Sequence, residues 1–211
     1  PCTGLISLED YGELVDEGYH GKRASDIELL VSGLLNVETF REVQRDYVDF
    51  DASEKGLLKR IAKPHQYFAV RKAIDSTVRA VDSDGRAGVV WHTQGSGKSM
   101  EMELFTAKVM RHPRLANPTI IVITDRTELD NQLSDSFTSS TLLPEKPQKV
   151  ASRAALREEL AQRRTGGIYF TTLQKFGLTE DEKAAGQKHP LLSDRRNIIV
   201  IVDEAHRSHY D

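Results

Sequence analysis

A glycine-rich loop near the middle of the chain has the residue types that hold the phosphates of a nucleotide. Glycines such as Gly95 and Gly97 let the backbone turn tightly and point successive N–H groups at phosphate oxygens. Lys98 would reach the β- and γ-phosphates, and the Ser99 hydroxyl would ligate Mg²⁺. The predicted nucleotide-binding residues of the loop are His92, Thr93, Gln94, Gly95, Ser96, Gly97, Lys98 and Ser99.

The first position of this loop departs from the usual pattern. Phosphate loops of this class follow G-x-x-x-x-G-K-[ST], and His92 stands where the first glycine is expected. A short G-x-G-K-S also arises by chance, so the flanking sequence has to decide. The apolar run 87–90 precedes the loop, and residues 100–109 follow it with the apolar spacing of a helix. We therefore predict a strand at 87–90, then the loop, then a helix.

An acidic pair near the end of the chain supplies a second half of the site. Asp203 and Glu204 follow the run 197–202, whose β-branched residues predict a strand buried on both faces. Sheets of the α/β class bind ligands at the carboxyl ends of their strands. A solvated turn explains an isolated Asp-Glu pair, but not its place after a phosphate loop. We predict that Lys98 and both carboxylates converge on one metal-bound nucleoside triphosphate.

The elements that must position these residues alternate between strands and helices. Residues 119–124 and 168–172 predict two further buried strands, and helices are predicted from 64 toward 81 and from 152 to 164. This order is typical of an α/β fold with a mainly parallel sheet and helices on both faces.

Other polar side chains offer contacts to a ligand. The Gln66 amide can donate to and accept from an adenine edge, although glutamine at a helix start is usually a surface residue. Arg126, at the end of a strand, either contacts phosphate or pairs with a neighbouring acid. Two hydroxyls, an amide and an ammonium at the end of the predicted strand 168–172 suit a sugar-phosphate backbone. They belong to Thr171, Thr172, Gln174 and Lys175.

Composition excludes several other classes of protein. The 211 residues are 38% hydrophobic and 29% charged, as in ordinary globular proteins. No apolar run is long enough to span a membrane, and one cysteine, Cys2, fits a reducing cytoplasm. The net charge of −3 does not attract nucleic acid as a whole, so DNA binding needs a local patch. Because the chain begins with proline and ends just after the acidic pair, we expect a piece of a longer polypeptide.

A series of stretches resembles the helicase motifs of the restriction (R, or HsdR) subunit of type I restriction-modification enzymes. The stretches are KPHQYFAV at 63–70, WHTQGSGKS at 91–99, TDRTEL at 124–129, TTLQKF at 171–176 and VDEAHRS at 202–208. His92 is the residue that this family has at that position. The resemblance implies the first of two RecA-like domains, a P-loop NTPase three-layer fold, in a DEAD/DEAH-type motor of superfamily 2. Residues 1–60 would be a connector after a nuclease domain, and residues 61–211 an incomplete motor domain that stops after the DEAH motif.

The resemblance also implies roles and partners. Lys98, Asp203 and Glu204 would be catalytic, with ATP as the nucleotide and Mg²⁺ held by Ser99 and, through water, by Asp203. Glu204 would orient and deprotonate the attacking water. His206 would couple the nucleotide site to the DNA-facing motifs, a locally packed histidine being the alternative. Gln66 joins the nucleotide-binding residues, and the residues assigned to double-stranded DNA are Arg126, Thr171, Thr172, Gln174 and Lys175.

Further partners implied are the nuclease and second motor domains of the same polypeptide and the methyltransferase and specificity subunits. Without the arginine finger of the second motor domain, we expect this chain alone to bind ATP weakly and hydrolyse it poorly. Alternatives are another superfamily 2 enzyme, such as a repair helicase or a type III restriction subunit, and a non-catalytic scaffold that docks on the methyltransferase.

Overall fold

A computed structural model of the chain describes residues 30–53, 56–93, 95–124, 127–203 and 205. Residues 1–108 and 109–211 form two separate compact units. The predicted boundary between a connector and the motor at about residue 60 stays a prediction. Among the described residues, none of the helices combines the length and the apolar character needed to span a bilayer.

The first unit combines helices with a β-hairpin. A π-helical turn at Leu30–Leu34 is followed by α1 (Val37–Asp46), β1 (Val48–Ser53), β2 (Gly56–Ile61), α2 (Pro64–Ala80) and the start of α3 (Lys98–Arg111). Asn36 caps the start of α1, because its side chain accepts the N–H groups of Glu38 and Thr39. Pro64 opens α2, where the missing N–H of proline costs no hydrogen bond.

The hairpin is held by a buried ion cluster that reaches α3. β1 and β2 pair antiparallel with Val48 opposite Ile61. The Arg60 guanidinium of β2 contacts the Asp49 carboxylate of β1 and lies 2.7 Å from the Glu103 carboxylate of α3. Both carboxylates are almost fully buried, so removing the arginine would leave buried negative charge uncompensated. This cluster ties the hairpin to the helix that follows the glycine loop.

The strand predicted at 87–90 is absent, and that prediction is wrong. Residues 86–93 have no regular structure, and Val89 and Val90 are exposed. Gly88 has φ +122°, which interrupts an extended conformation, and the Ala87 carbonyl accepts a hydrogen bond from the Ser76 hydroxyl of α2. A strand forms only where a neighbour completes its hydrogen bonds, and among the described residues this segment belongs to no ladder.

The second unit contains a parallel sheet. Its strands are β3 (Thr119–Thr124), β4 (Gln148–Lys149), β5 (Ile168–Thr172) and β6 (Ile198–Val202), and its helices are α4 (Thr127–Ser139), α5 (Arg153–Gln162) and α6 (Glu180–Ala184). Short 3₁₀ turns lie at Pro113–Leu115 and Leu173–Phe176. The strand order is β4-β5-β3-β6, and every neighbouring pair is parallel.

Helices cover both faces of this sheet. Successive residues of a strand point to opposite faces, so Ile121 and Val122 of β3 belong to different faces. Ile121 packs in one cluster with Leu156 of α5. Phe170 stands opposite Val122 in the ladder, and its ring lies 5.1 Å from the Phe137 ring of α4. The protein therefore has an α/β, RecA-like fold, and the predicted fold class is confirmed.

The position of β6 is confirmed, but its predicted burial on both faces is wrong. Val200 is 50% exposed and Val202 is 45% exposed. β6 is the outer strand of the described sheet and pairs with β3. Apolar composition indicated a central strand, whereas an edge position leaves alternate side chains in contact with solvent.

Candidate phosphate-binding site

The glycine loop runs directly into the start of α3. Gly95 and Gly97 have φ of +79° and +92°, a left-handed region that glycine occupies without strain. The Ser96 N–H donates to the Thr93 carbonyl at 3.3 Å and closes a turn at the apex. Helix α3 begins at Lys98, and the first N–H groups of any helix have no acceptor within it. The helix follows the loop directly, so the predicted loop-to-helix order is confirmed. Such a helix start attracts anions.

Gln66 supports the loop from below. Its side chain is buried, and its Nε2 donates to the Ser96 carbonyl at 3.3 Å and to the Gly97 carbonyl at 3.1 Å. Its Oε1 accepts the Lys63 N–H at 2.8 Å. The surface alternative for this glutamine is therefore wrong. Because both ends of the amide form hydrogen bonds within the protein, Gln66 stabilises the loop conformation. Its contact with adenine stays a prediction.

An imidazole–carboxylate pair closes the base of the loop. His92 Nδ1 lies 2.7 Å from Glu101 Oε1, and the two side chains are 4% and 7% exposed. Nε2 of a second histidine, His65, lies 3.1 Å from the Ser96 carbonyl oxygen and 4.0 Å from the same Glu101 oxygen. Burial raises the pKa of the Glu101 carboxyl, while the nearby His92, His65 and Lys98 act to lower that pKa. Sequence reasoning missed Glu101 and His65.

Mg²⁺ and a triphosphate suit the groups of this loop. Lys98 Nζ donates to the His92 carbonyl oxygen at 3.5 Å, so the ammonium lies over the loop. Ser99 is exposed at the start of α3. The Ser96 hydroxyl is buried and has no hydrogen-bond partner among the described residues. An ammonium, hydroxyls and free helix N–H groups are the donors that a phosphate takes, and a hydroxyl suits Mg²⁺.

The second unit brings polar residues together at the carboxyl edge of its sheet. Thr124 of β3 stands opposite Thr172 of β5, and the Asp203 N–H after β6 donates to the Ile123 carbonyl at 2.9 Å. This edge is where parallel sheets bind ligands. Lys98 belongs to the first unit and Asp203 to the second, and their convergence on one nucleotide stays a prediction. The predicted site residues Gln94, Arg126, Glu204 and His206 lie outside the described residues.

The residues predicted to touch DNA differ in their accessibility. Thr171 is 0% exposed and Thr172 is 8% exposed, whereas Gln174 lies on the surface. The Lys175 ammonium donates to the Val150 carbonyl. The burial of Thr171 argues against a direct contact between its side chain and DNA. The DNA contacts of the others stay predictions.

Two buried threonines of the sheet should respond oppositely to replacement by valine. The Thr119 hydroxyl donates to the Gly166 carbonyl at 2.6 Å and accepts from Arg195 at 2.7 Å. The buried Thr171 hydroxyl has no partner in the part of the chain that the structure describes. Urea denaturation should show that Thr119→Val lowers the free energy of unfolding by about 1–3 kcal/mol, because buried partners lose their bonds. Thr171→Val should leave that free energy unchanged or raise it by about 1 kcal/mol. Equal losses in both variants would contradict the assignment.

Comparisons with known proteins agree with the fold and with the loop. Residues 65–211 match the SWI2/SNF2 ATPase family. The type I restriction enzyme HindI endonuclease subunit of Haemophilus influenzae is 44% identical over 205 residues, which cover 94% of this chain and 19% of that protein. The putative type I restriction enzyme MjaIXP endonuclease subunit of Methanocaldococcus jannaschii is 36% identical over 211 residues, which cover 98% of this chain and 19% of that protein.

A more distant relative shows the same relationship. The type I restriction enzyme SauCOLORF180P endonuclease subunit of Staphylococcus aureus is 27% identical over 150 residues. The chain spans about a fifth of the length of the first two relatives, 19% in each case. The resemblance found in the sequence motifs is confirmed. The chain belongs to the SWI2/SNF2 ATPase family and is a motor region of the type found in the endonuclease (HsdR) subunits of type I restriction enzymes.

Proposed function

We propose that this chain binds ATP in the loop 92–99 and hydrolyses it to drive translocation along double-stranded DNA, as the motor part of a type I restriction endonuclease. The observation that carries the proposal is the left-handed turn at Gly95 and Gly97 that leads into the start of α3, with the Lys98 ammonium beside the His92 carbonyl. Membership of an ATPase family supports hydrolysis. The names of the relatives support DNA as the substrate of the complete enzyme.

The proposed chemistry follows from charge. Phosphoryl transfer spreads negative charge over the oxygens of the γ-phosphoryl group, so positioned donors lower the barrier. Lys98 and the loop N–H groups are such donors. Ser99 and Asp203 would hold Mg²⁺, which neutralises charge on the phosphate oxygens when it is bound. Glu204 would accept the proton of the attacking water.

The proposal extends to DNA and to partner subunits. Arg126, Gln174 and Lys175 would follow the sugar-phosphate backbone without reading bases, with Thr172 at the edge of the same surface. His206 would couple this surface to the nucleotide site. We place the protein in the cytoplasm, in a complex with methyltransferase and specificity subunits, and joined to a nuclease and a second motor domain.

The experiment uses the full-length protein and two readouts. Phosphate release from ATP is measured with and without linear double-stranded DNA, and displacement of a triplex-forming oligonucleotide reports movement along that DNA. We expect DNA to stimulate hydrolysis, and displacement to require ATP. Assembly with the methyltransferase without any hydrolysis would favour the scaffold alternative. Hydrolysis without displacement would support the proposed ATPase activity and contradict the proposed translocation.

A further inference from the structure

The side-chain contact between His92 and Glu101 has no part in the phosphoryl transfer proposed above. Glu101 lies in the first turn of α3, and its buried carboxylate meets the buried His92 imidazole at 2.7 Å. A buried carboxylate without a partner costs far more than an exposed one, so the two groups depend on each other. His65 contacts the same group through an edge-to-face ring contact with His92 at 5.4 Å.

The pair explains why this loop begins with histidine. Among the described non-glycine residues, positive φ occurs at Ala116 and Asn117, so His92 has a backbone conformation that any residue can adopt. Glycine is therefore not required at this position. The histidine side chain instead points inward and joins the start of the loop to the first turn of α3 through Glu101.

His92 also contacts Lys98 through its main chain. The carbonyl oxygen of His92 accepts from Lys98 Nζ at 3.5 Å. His92 is thus fixed by its side chain and holds the lysine by its backbone. Loss of the imidazole–carboxylate bond would free residue 92 to turn and would remove a fixed acceptor beside the ammonium.

We infer that Glu101 and His92 are positioning residues for ATP binding, which hold the base of the loop and orient Lys98 toward the phosphates. This inference rests on the proposed function. The two side chains act through Lys98 and the loop. The same link predicts that the effect of Glu101 on ATP affinity disappears once Lys98 is gone.

The test is a double-mutant cycle on the full-length protein. A fluorescent ATP analogue with Mg²⁺ is titrated into the wild type, Glu101→Ala, Lys98→Ala and the combined variant. We expect Glu101→Ala to weaken binding by about tenfold, as loss of a charge-assisted hydrogen bond would. In the Lys98→Ala background the further loss should fall to about twofold or less. The matched control is Glu38→Ala, because Glu38 lies exposed in the first turn of α1. This variant should bind the analogue with wild-type affinity.

Two further variants separate positioning from folding. Glu101→Gln keeps the shape and the acceptor, and it should retain affinity to within about threefold. His92→Ala removes the same bond from its other side and should match Glu101→Ala, which covers the case in which Glu101→Ala does not fold. Thermal unfolding of each variant reports whether the protein is folded.

The outcomes distinguish the inference from the proposed function. Wild-type affinity in both folded single variants, or an equal loss with and without Lys98, would overturn the positioning role alone. A loss in Glu101→Gln as large as in Glu101→Ala would also overturn it, because charge rather than placement would then matter. Absence of ATP binding in the wild type, or wild-type affinity in Lys98→Ala, would overturn the proposed function itself.

Discussion

Replacing Lys98 with alanine in the full-length protein should lower the DNA-stimulated rate of ATP hydrolysis by about a thousandfold. The ammonium lies over the loop, 3.5 Å from the His92 carbonyl oxygen. There its positive charge would stabilise the negative charge of a γ-phosphoryl group. Removal of one positioned donor to a transition-state oxygen typically costs about a hundredfold to a thousandfold. Steady-state phosphate release at saturating ATP and DNA measures the effect.

The matched control is Lys59→Ala. Lys59 is an exposed lysine of β2, so the same change removes a charge without touching the loop. Its rate should stay within about twofold of the wild type. Hydrolysis in Lys98→Ala that equals the rate of this control would contradict the assignment of Lys98 as catalytic.

Replacing Gly97 with alanine should lower the affinity for ATP by about a hundredfold. Gly97 has φ +92°, which strains any residue with a Cβ, and that Cβ would lie 2.5 Å from Gln66 Nε2. Strain of about 1–3 kcal/mol together with displacement of Gln66 would move the loop carbonyls and their neighbouring N–H groups. Titration with a fluorescent ATP analogue measures the loss.

Gly85→Ala is the control for a positive-φ glycine outside the loop. Gly85 also has a positive φ, +80°, but nothing lies within 4 Å of an added Cβ. This variant should lose about 1 kcal/mol of stability and keep the affinity for ATP. If the two variants lost the same affinity, the loss would not be specific to the loop.

The sheet of the second unit was predictable because its strands have a strong local signal. β3 and β5 are short runs of β-branched and aromatic residues between turn signals, and both lie where they were predicted. Helix α5 was equally clear, because Ser152 accepts the Ala155 N–H at its start. Such signals depend on residues near one another in the chain.

The hairpin of the first unit gave a misleading signal, because Asp49 is buried and Phe50 is exposed. β1 reads VDFDAS, in which acids alternate with apolar residues. Asp49 is tolerated inside because Arg60 neutralises it, and that partner is supplied by the opposite strand. Pairing of this kind depends on the fold and cannot be recognised from one segment.

The segment at 87–90 and strand β6 show the same limit in the other direction. Both are apolar enough to be central strands, yet the first has no regular structure and the second is an edge strand. Apolar composition indicates that a segment can be buried in a sheet. A neighbouring strand on each side decides whether it is, and that information is not local.

The sequence predicted the loop residues of the candidate site but not the side chains that hold the loop in place. The glycines, Lys98 and Ser99 follow a motif with fixed spacing, so the sequence sufficed. Glu101 has no special spacing, and only its buried contact with His92 shows its importance. Gln66 was noted for adenine, and the structure shows its amide under the loop instead.

Hydrogen–deuterium exchange of the full-length protein, with and without Mg²⁺ and a non-hydrolysable ATP analogue, tests the central claim most directly. Phosphates bound by the loop would engage the N–H groups of residues 95–99, so the peptide that contains them should exchange about tenfold more slowly with nucleotide. Lys98→Ala should lose that protection. Saturable nucleotide binding with unchanged exchange at 95–99, and with protection elsewhere, would show that the loop is not the phosphate site.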